Sequence, residues 1–451
     1  MNVYLSRNFA PIHEETTATD LAVIGELPKE LNGRYLRNGP NPIADVDPLV
    51  HHWFLGDGMV HGIRLRDGRA EWYRSRYVGS DNVAAAFGRP ISGPNWSEGP
   101  GGPNTNVGSF AGKTWAMVEA GGTPVELTYD LETVARNDFF GTLPGAFTAH
   151  PKVDPATGEM HAVAYAPSKW FDHTQYIVIG TDGRVRRTVD VPMGMSMVHD
   201  MSITPTYALI YDFPVTVDLD EAFAGNAFPL RWNPDYGSRV GLLPREGDAS
   251  QIVWIEAPIC YAFHPLNAFD RPDGSVVVDL CVYERLFDRD RVGPFGDTLP
   301  RLERWELDPR TRKTSVTVID ETPQEFPRHA HRVGTQEHRY GYTAVVGSDR
   351  LGATLKHDVL TGARTMFDYG PGRGAGEPVF VARDGSDPAS DEDDGWLVTF
   401  THANDGSDAS FVVLDARDLA RGPVAEVKLP KRVPYGFHGN WVSDSSVPPP
   451  A

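Results

Sequence analysis

Cysteine is nearly absent from this chain. Only Cys260 and Cys281 occur among 451 residues, which excludes a disulfide framework, fits a reducing compartment and leaves a single bridge formally open. Long apolar runs are also missing: no stretch of 18 apolar residues occurs, and the first thirty residues, beginning MNVYLSRNFAPIHEETTATD, lack a basic start followed by an apolar run. The expected location is the cytoplasm, with peripheral membrane contact left open. Basic residues are outnumbered, 42 Lys and Arg against 61 Asp and Glu, for a formal net charge of −19. Such a surface repels phosphate and excludes a nucleic-acid role. No G-x-G-x-x-G follows a strand and opens a helix, so neither a nicotinamide nor a flavin site is expected.

What is present is strand after short strand. YIVIGTDGRVRRTVDV (176–191), GSVVVDLCVYE (274–284), TSVTVID (314–320), GYTAVVG (341–347), GWLVTFTHA (395–403) and SFVVLDARD (410–418) are rich in Val, Ile, Thr, Tyr or Phe. DG, GS or TG pairs bound them and supply the positive φ angles of tight hairpins. The phrases HPKVDPATGEMHAVAY and LKHDVLTGARTMFDY share a strand, a D-x-x-T-G turn and a returning strand. Repeated units of this kind predict an all-β propeller; seven blades take roughly 64 residues each, and six or eight fit the same arithmetic. The chain reads as a single domain over 1–451, with a disordered tail from residue 443. The acidic stretch RDGSDPASDEDDG (383–395) reads as a solvated loop rather than a calcium site.

Among the 15 histidines, His13, His161, His173, His338 and His357 stand beside charged or turn residues and read as surface groups. In RHAHR, His329 and His331 have the spacing of a metal pair, but flanking arginines repel a cation, so the stretch reads as a surface feature. His51 and His52 fall in an early glycine-rich stretch and are expected to close a blade. Four others differ: His150 in GAFTAHPKVD, His199 in SMVHDMSIT, His264 in CYAFHPLNAFD and His438 in PYGFHGNWV. Each follows an apolar or small residue, and three of the four precede Pro or Gly. Propeller inner strands converge on one axis, where distant histidines can meet. Taken singly, each is more often structural than a ligand.

RYLRNGPNP (35–43), HHWFLGDGMVHGIRL (51–65) and the four histidine phrases, in this order, resemble the carotenoid cleavage oxygenase family over about residues 8–442. That family includes stilbene- and phenylpropene-cleaving enzymes and a retinoid isomerase. The resemblance implies a seven-bladed propeller with a dome of loops and short helices over an axial non-haem Fe(II), held by His150, His199, His264 and His438. It also implies outer carboxylates at Glu119, Glu325 and Glu377, since ligating imidazoles usually donate their other N–H to an acceptor. The implied reaction is insertion of O2 across a conjugated carbon-carbon double bond to give two carbonyl products.

Family members that cleave hydroxystilbenes typically carry a lysine before the first outer glutamate and a tyrosine some thirty residues upstream. Here Val118 precedes Glu119, and the upstream region reads NVAAAFGRP. An unpaired buried phenolate is costly, so a carotenoid or apocarotenoid is favoured over a phenolic stilbene or phenylpropene. A polyene has to be extracted from membrane, and Phe223, Phe228 and Leu230 in DEAFAGNAFPLRW are candidates for an interfacial patch. Two readings stay beside this one: a non-catalytic propeller scaffold without iron, and a family member with isomerase or lost oxygenase chemistry.

Overall fold

The computed structural model describes residues 2–94, 102–383 and 390–450. Seven sheets of at least four antiparallel strands stand around an axis as a seven-bladed β-propeller. Blade 2 comprises Asn106–Phe110, Lys113–Met117, Val125–Leu127 and Thr133–Arg136, and blade 3 Lys152–Val153, Met160–Ala164, His173–Ile179 and Val185–Pro192. Blade 4 begins at Met201–Ile203, blade 5 at Tyr261–Asp270, blade 6 at Gln324–Arg328, and blade 7 at Arg373–Ala375 with Val379–Ala382. Segments expected from sequence as strands lie in strands, including Val276–Tyr283, Lys313–Asp320, Tyr340–Gly347, Gly395–Ala403 and Ala409–Asp415.

Burial follows position within each blade. In blade 5, Val276–Tyr283 is buried throughout, so VVVDLCVY reads as an apolar run broken only by Asp279, because neighbouring blades cover both faces. The outermost strand, Lys313–Asp320, is largely exposed. The D-x-x-T-G phrases form as expected turns. Asp154 accepts the Ala156 N–H while Gly158 takes φ 71°, and Asp358 accepts the Leu360 and Thr361 N–H groups while Gly362 takes φ 74°.

Blade 1 joins the two ends of the chain. Gly439–Ser443 is its inner strand, paired with Gly33–Arg37, followed by Met59–Arg66, Arg69–Tyr77 and Thr16–Ala18. The tail, expected to be disordered from residue 443, instead continues the packing: Asp444 accepts from Arg64 at 2.6 Å and from the Tyr129 hydroxyl at 2.9 Å, and Val447 is buried. A buried guanidinium needs a carboxylate, which fixes this stretch. Of the acidic stretch, residues 384–389 lie outside the described residues; Asp393 and Asp394 pair with Lys356 and Arg383.

Three histidines expected at the surface are buried. His161 Nδ1 meets the Tyr176 hydroxyl and its Nε2 accepts from Arg245, both at 2.7 Å; His338 faces Asp279; His357 Nε2 lies 2.8 Å from Gln324 Oε1. Their partners are 14 or more residues away, so neighbouring turn residues misrepresent them. Burial first, with Arg245 and Arg37 adding, pushes His161 and His402 to about 3; burial, partly offset by Asp320, pushes His357 to about 4. Unfolding restores an ordinary value near ~6.5, so the unfolded chain binds protons that the folded chain refuses. Stability is therefore full above about pH 6.5 and falls as pH drops toward the folded values, by up to about 1.4 kcal/mol per pH unit for each group. The melting temperature should hold between about pH 8 and 7 and decline from about 6 to 4. His357→Gln should flatten that decline, and an unchanged slope would contradict this account.

Candidate metal centre

The sequence places each candidate ligand at an inner strand, and the fold brings these strands together. His150 and His199 stand two residues before the inner strands of blades 3 and 4, His438 immediately precedes the closing strand of blade 1, and His264 lies within the inner strand of blade 5. There the register breaks between Ala262 and Pro265, a bulge that re-aims a side chain. Backbone contacts pin the neighbouring chain. Asn38 exchanges backbone hydrogen bonds with Phe437 and His438, the His438 N–H reaches Thr105, Asn106 donates to the Ala149 carbonyl, and Tyr261 donates to the Met197 carbonyl. This gives RYLRNGPNP a physical task. It grips PYGFHGNWV, and Gly39 admits the approach because a Cβ there would lie 2.7 Å from Gly436 Cα.

The four imidazoles converge. Their ligand atoms all lie within 4.8 Å of one another, and all four residues are buried. The His199 and His264 Nε2 atoms are 3.1 Å apart; two nitrogens bound at about 2.1 Å and at right angles to one ion lie roughly 3.0 Å apart. His150 Nε2 is buried without a hydrogen-bond partner, an orphan that a metal would satisfy.

Behind three of the rings stand the three expected glutamates. His199 Nδ1 donates to Glu119 at 2.9 Å, His264 Nδ1 to Glu325 at 2.6 Å and His438 Nδ1 to Glu377 at 3.0 Å. Each arrangement leaves Nε2 as the free lone pair. His150 has no glutamate; its Nδ1 is 3.7 Å from Asp200, which Lys152 holds at 2.8 Å. Sequence reasoning missed this pair, although both residues lie within two positions of a ligand. Burial pushes His150 and His264 well below the ordinary imidazole value, keeping them neutral and able to ligate. Burial also drives the Glu325 carboxyl up, whereas at Glu377 the burial effect is outweighed by Arg328, His438 and the Gly439 N–H, which hold it below the usual range. A dication at the ring nitrogens favours the ionised carboxylates.

The centre lies at the base of a cavity of about 960 Å³ walled by aromatic side chains, including Phe54, Phe228, Phe263, Phe326 and Phe437. Phe228 is therefore not part of an exposed patch. It stacks on His52 with centroids 3.6 Å apart, and Leu230 is buried in the core. Of the three patch candidates only Phe223 is largely exposed, at 86%; Phe228 is partly buried. His51 and His52 lie in the connection between Gly33–Arg37 and Met59–Arg66, where His52 stacks on Phe228 beside the cavity. His329 is half-buried, its Nδ1 donating to the Ala330 carbonyl, while His331 is exposed; neither joins the four-histidine group.

A model of the retinal pigment epithelial membrane protein family matches residues 9–443. The chain belongs to the carotenoid cleavage oxygenase family. As a member of that family it is 43% identical to a carotenoid cleavage oxygenase of Mycobacterium tuberculosis, over 98% of this chain and 97% of that one. It is 33% identical to a carotenoid 9,10(9',10')-cleavage dioxygenase of Crocus sativus, over 98% and 90%. Among solved structures, Pseudomonas brassicacearum lignostilbene dioxygenase superposes with a TM-score of 0.88 at 27% identity, and Synechocystis apocarotenoid oxygenase with 0.84 at 26%, each over 98% of both chains. Among the described residues, no helix is long and apolar enough to cross a membrane.

Proposed function

We propose that this family member is a non-haem Fe(II) dioxygenase that cleaves a conjugated carbon-carbon double bond of a carotenoid or apocarotenoid, with O2, into two carbonyl products. The observation that carries the reading is the convergence of four buried imidazoles at the floor of an aromatic-walled cavity. His150, His199, His264 and His438 would hold the ion, and an all-imidazole set suits Fe(II). When bound, the iron supplies O2 activation. The chain's own part is positional. Glu119, Glu325 and Glu377 fix the ring tautomers, and the aromatic walls hold an apolar substrate over the floor and keep water out.

The polyene class is favoured by Val118, which lines the cavity at the position where the resemblance implies a lysine in hydroxystilbene-cleaving members, and by the carotenoid enzymes named among the most similar relatives. The likeness in fold to a lignostilbene dioxygenase keeps a phenolic alkene as the second reading.

Anaerobic purification with metal analysis, followed by O2 uptake, tests both. The expected result is about one iron per chain, with uptake on an apocarotenal and not on a hydroxystilbene or 4-vinylphenol. Val118→Lys should move uptake toward the phenolic substrate. Uptake by the wild type on the phenolic substrate alone would reverse the choice of class, and no iron after Fe(II) is supplied would remove the oxygenase reading.

A further inference from the structure

The three glutamates receive similar ring N–H groups but are not equally held. Glu325 Oε2 also accepts the Phe326 backbone N–H at 2.6 Å, and Glu377 Oε2 accepts the Gly439 backbone N–H at 2.8 Å; both side chains are 2% exposed. Glu119 differs on each point. Its side chain is 12% exposed, it accepts from no backbone N–H among the described residues, and it opens a turn in which Ala120 and Gly121 take φ 59° and 92°. Its second donor is the Tyr165 hydroxyl, 2.9 Å from Oε2. Tyr165 follows the second strand of blade 3, whereas Glu119 follows the second strand of blade 2. The turn also packs on the residue after Tyr165: a Cβ at Gly121 would lie 2.9 Å from Ala166 Cβ.

We propose that Tyr165 is a positioning residue for the metal centre. Its phenol fills, at Glu119, the place that a backbone N–H fills at Glu325 and Glu377. Held by both donors, the Glu119 carboxylate cannot swing away from His199, so the His199 proton stays on Nδ1 and Nε2 stays turned toward the ion. Without the phenol, Glu119 keeps one donor on a partly buried turn, and the His199 arm loosens. This inference rests on the iron reading of the site. Tyr165 also walls the cavity, so turnover alone does not separate holding Glu119 from contacting substrate.

The test is metal affinity without substrate. Apoprotein is titrated with Co(II) and Fe(II) against a competing chelator, for the wild type and Tyr165→Phe, and the visible absorption of the Co(II) form is recorded. Losses for outer partners of metal ligands run from about 10- to 100-fold; a group one bond further out is expected at the low end, a rise of about 10-fold in metal Kd with a shifted Co(II) band. Glu119→Ala supplies the second arm, which stands even where the phenylalanine variant is less stable. If Tyr165 acts through Glu119, adding Tyr165→Phe to Glu119→Ala weakens binding no further. Unchanged affinity and spectrum in Tyr165→Phe, or losses that simply add in the double variant, would overturn the proposal. A wild type that binds neither ion removes the iron reading itself, and this inference with it.

Discussion

His438→Ala is expected to fold, to carry almost no iron and to lower O2 uptake by at least about 1000-fold. The expectation of folding comes from the backbone around residue 438. Its N–H reaches Thr105, its carbonyl accepts from Asn38, and the strand that follows pairs with Gly33–Arg37, none of which involves the imidazole. The expectation of metal loss comes from what is left: three imidazoles, and a Glu377 carboxylate whose ring donor has gone while Arg328 remains at 3.4 Å. A carboxylate paired with a guanidinium is a poor substitute ligand. Elemental analysis of anaerobically prepared protein, beside circular dichroism, checks both halves. His331→Ala, at an exposed position outside the four-histidine group, should retain wild-type iron. Iron retained in His438→Ala would mean that the ion sits elsewhere.

A chain ended after His438 is expected to lose its cooperative unfolding transition altogether, whereas a chain ended after Val447 should melt within a few degrees of the full length. The shorter chain lacks Gly439–Ser443, so the inner edge of Gly33–Arg37 is left with unpaired N–H and C=O groups along five register positions. It also lacks Asp444, which leaves the Arg64 guanidinium, 1% exposed, with backbone carbonyls and, among the described residues, Glu71 at 3.4 Å as its one remaining carboxylate. Stranding a buried charge costs about 3–5 kcal/mol. That loss and an unpaired strand edge together consume the roughly 5–15 kcal/mol by which domains are stable. Pro448 to Pro450 make no such contacts. Near-ultraviolet circular dichroism melts of the two truncations decide the matter: a cooperative melt of the shorter chain would show that blade 1 stands without its closing strand.

Strands such as Val276–Tyr283 and Gly395–Ala403 were legible because burial on both faces leaves a largely apolar and β-branched run between turn pairs. The D-x-x-T-G turns were legible because their hydrogen bonds are local. The four histidine phrases were legible chiefly as a resemblance; spacing alone leaves the choice among 15 histidines open. What escaped was everything decided by a distant partner. His161 looks like a turn-side residue until Arg245 is brought to it, and residues 443–447 look like a polar tail until Arg64 and Tyr129 claim Asp444. Phe228 looks like a surface phenylalanine until His52 stacks on it. Tyr165 belongs to the same class, since nothing local marks it as a partner of a glutamate 46 residues earlier.

The pairing of Gly33–Arg37 with Gly439–Ser443 also has a consequence in time. Most strand pairs here join consecutive segments and can zip as hairpins, but this one must bring together segments about four hundred residues apart, and such contacts form slowly. The fourth imidazole arrives only with that pairing. Until the ring shuts, the chain offers three histidines on consecutive blades and an open side where the fourth belongs. Capture of an ion by the four imidazoles would then be the closing event of folding, and tight uptake of metal would be a clock that starts when the last blade is complete.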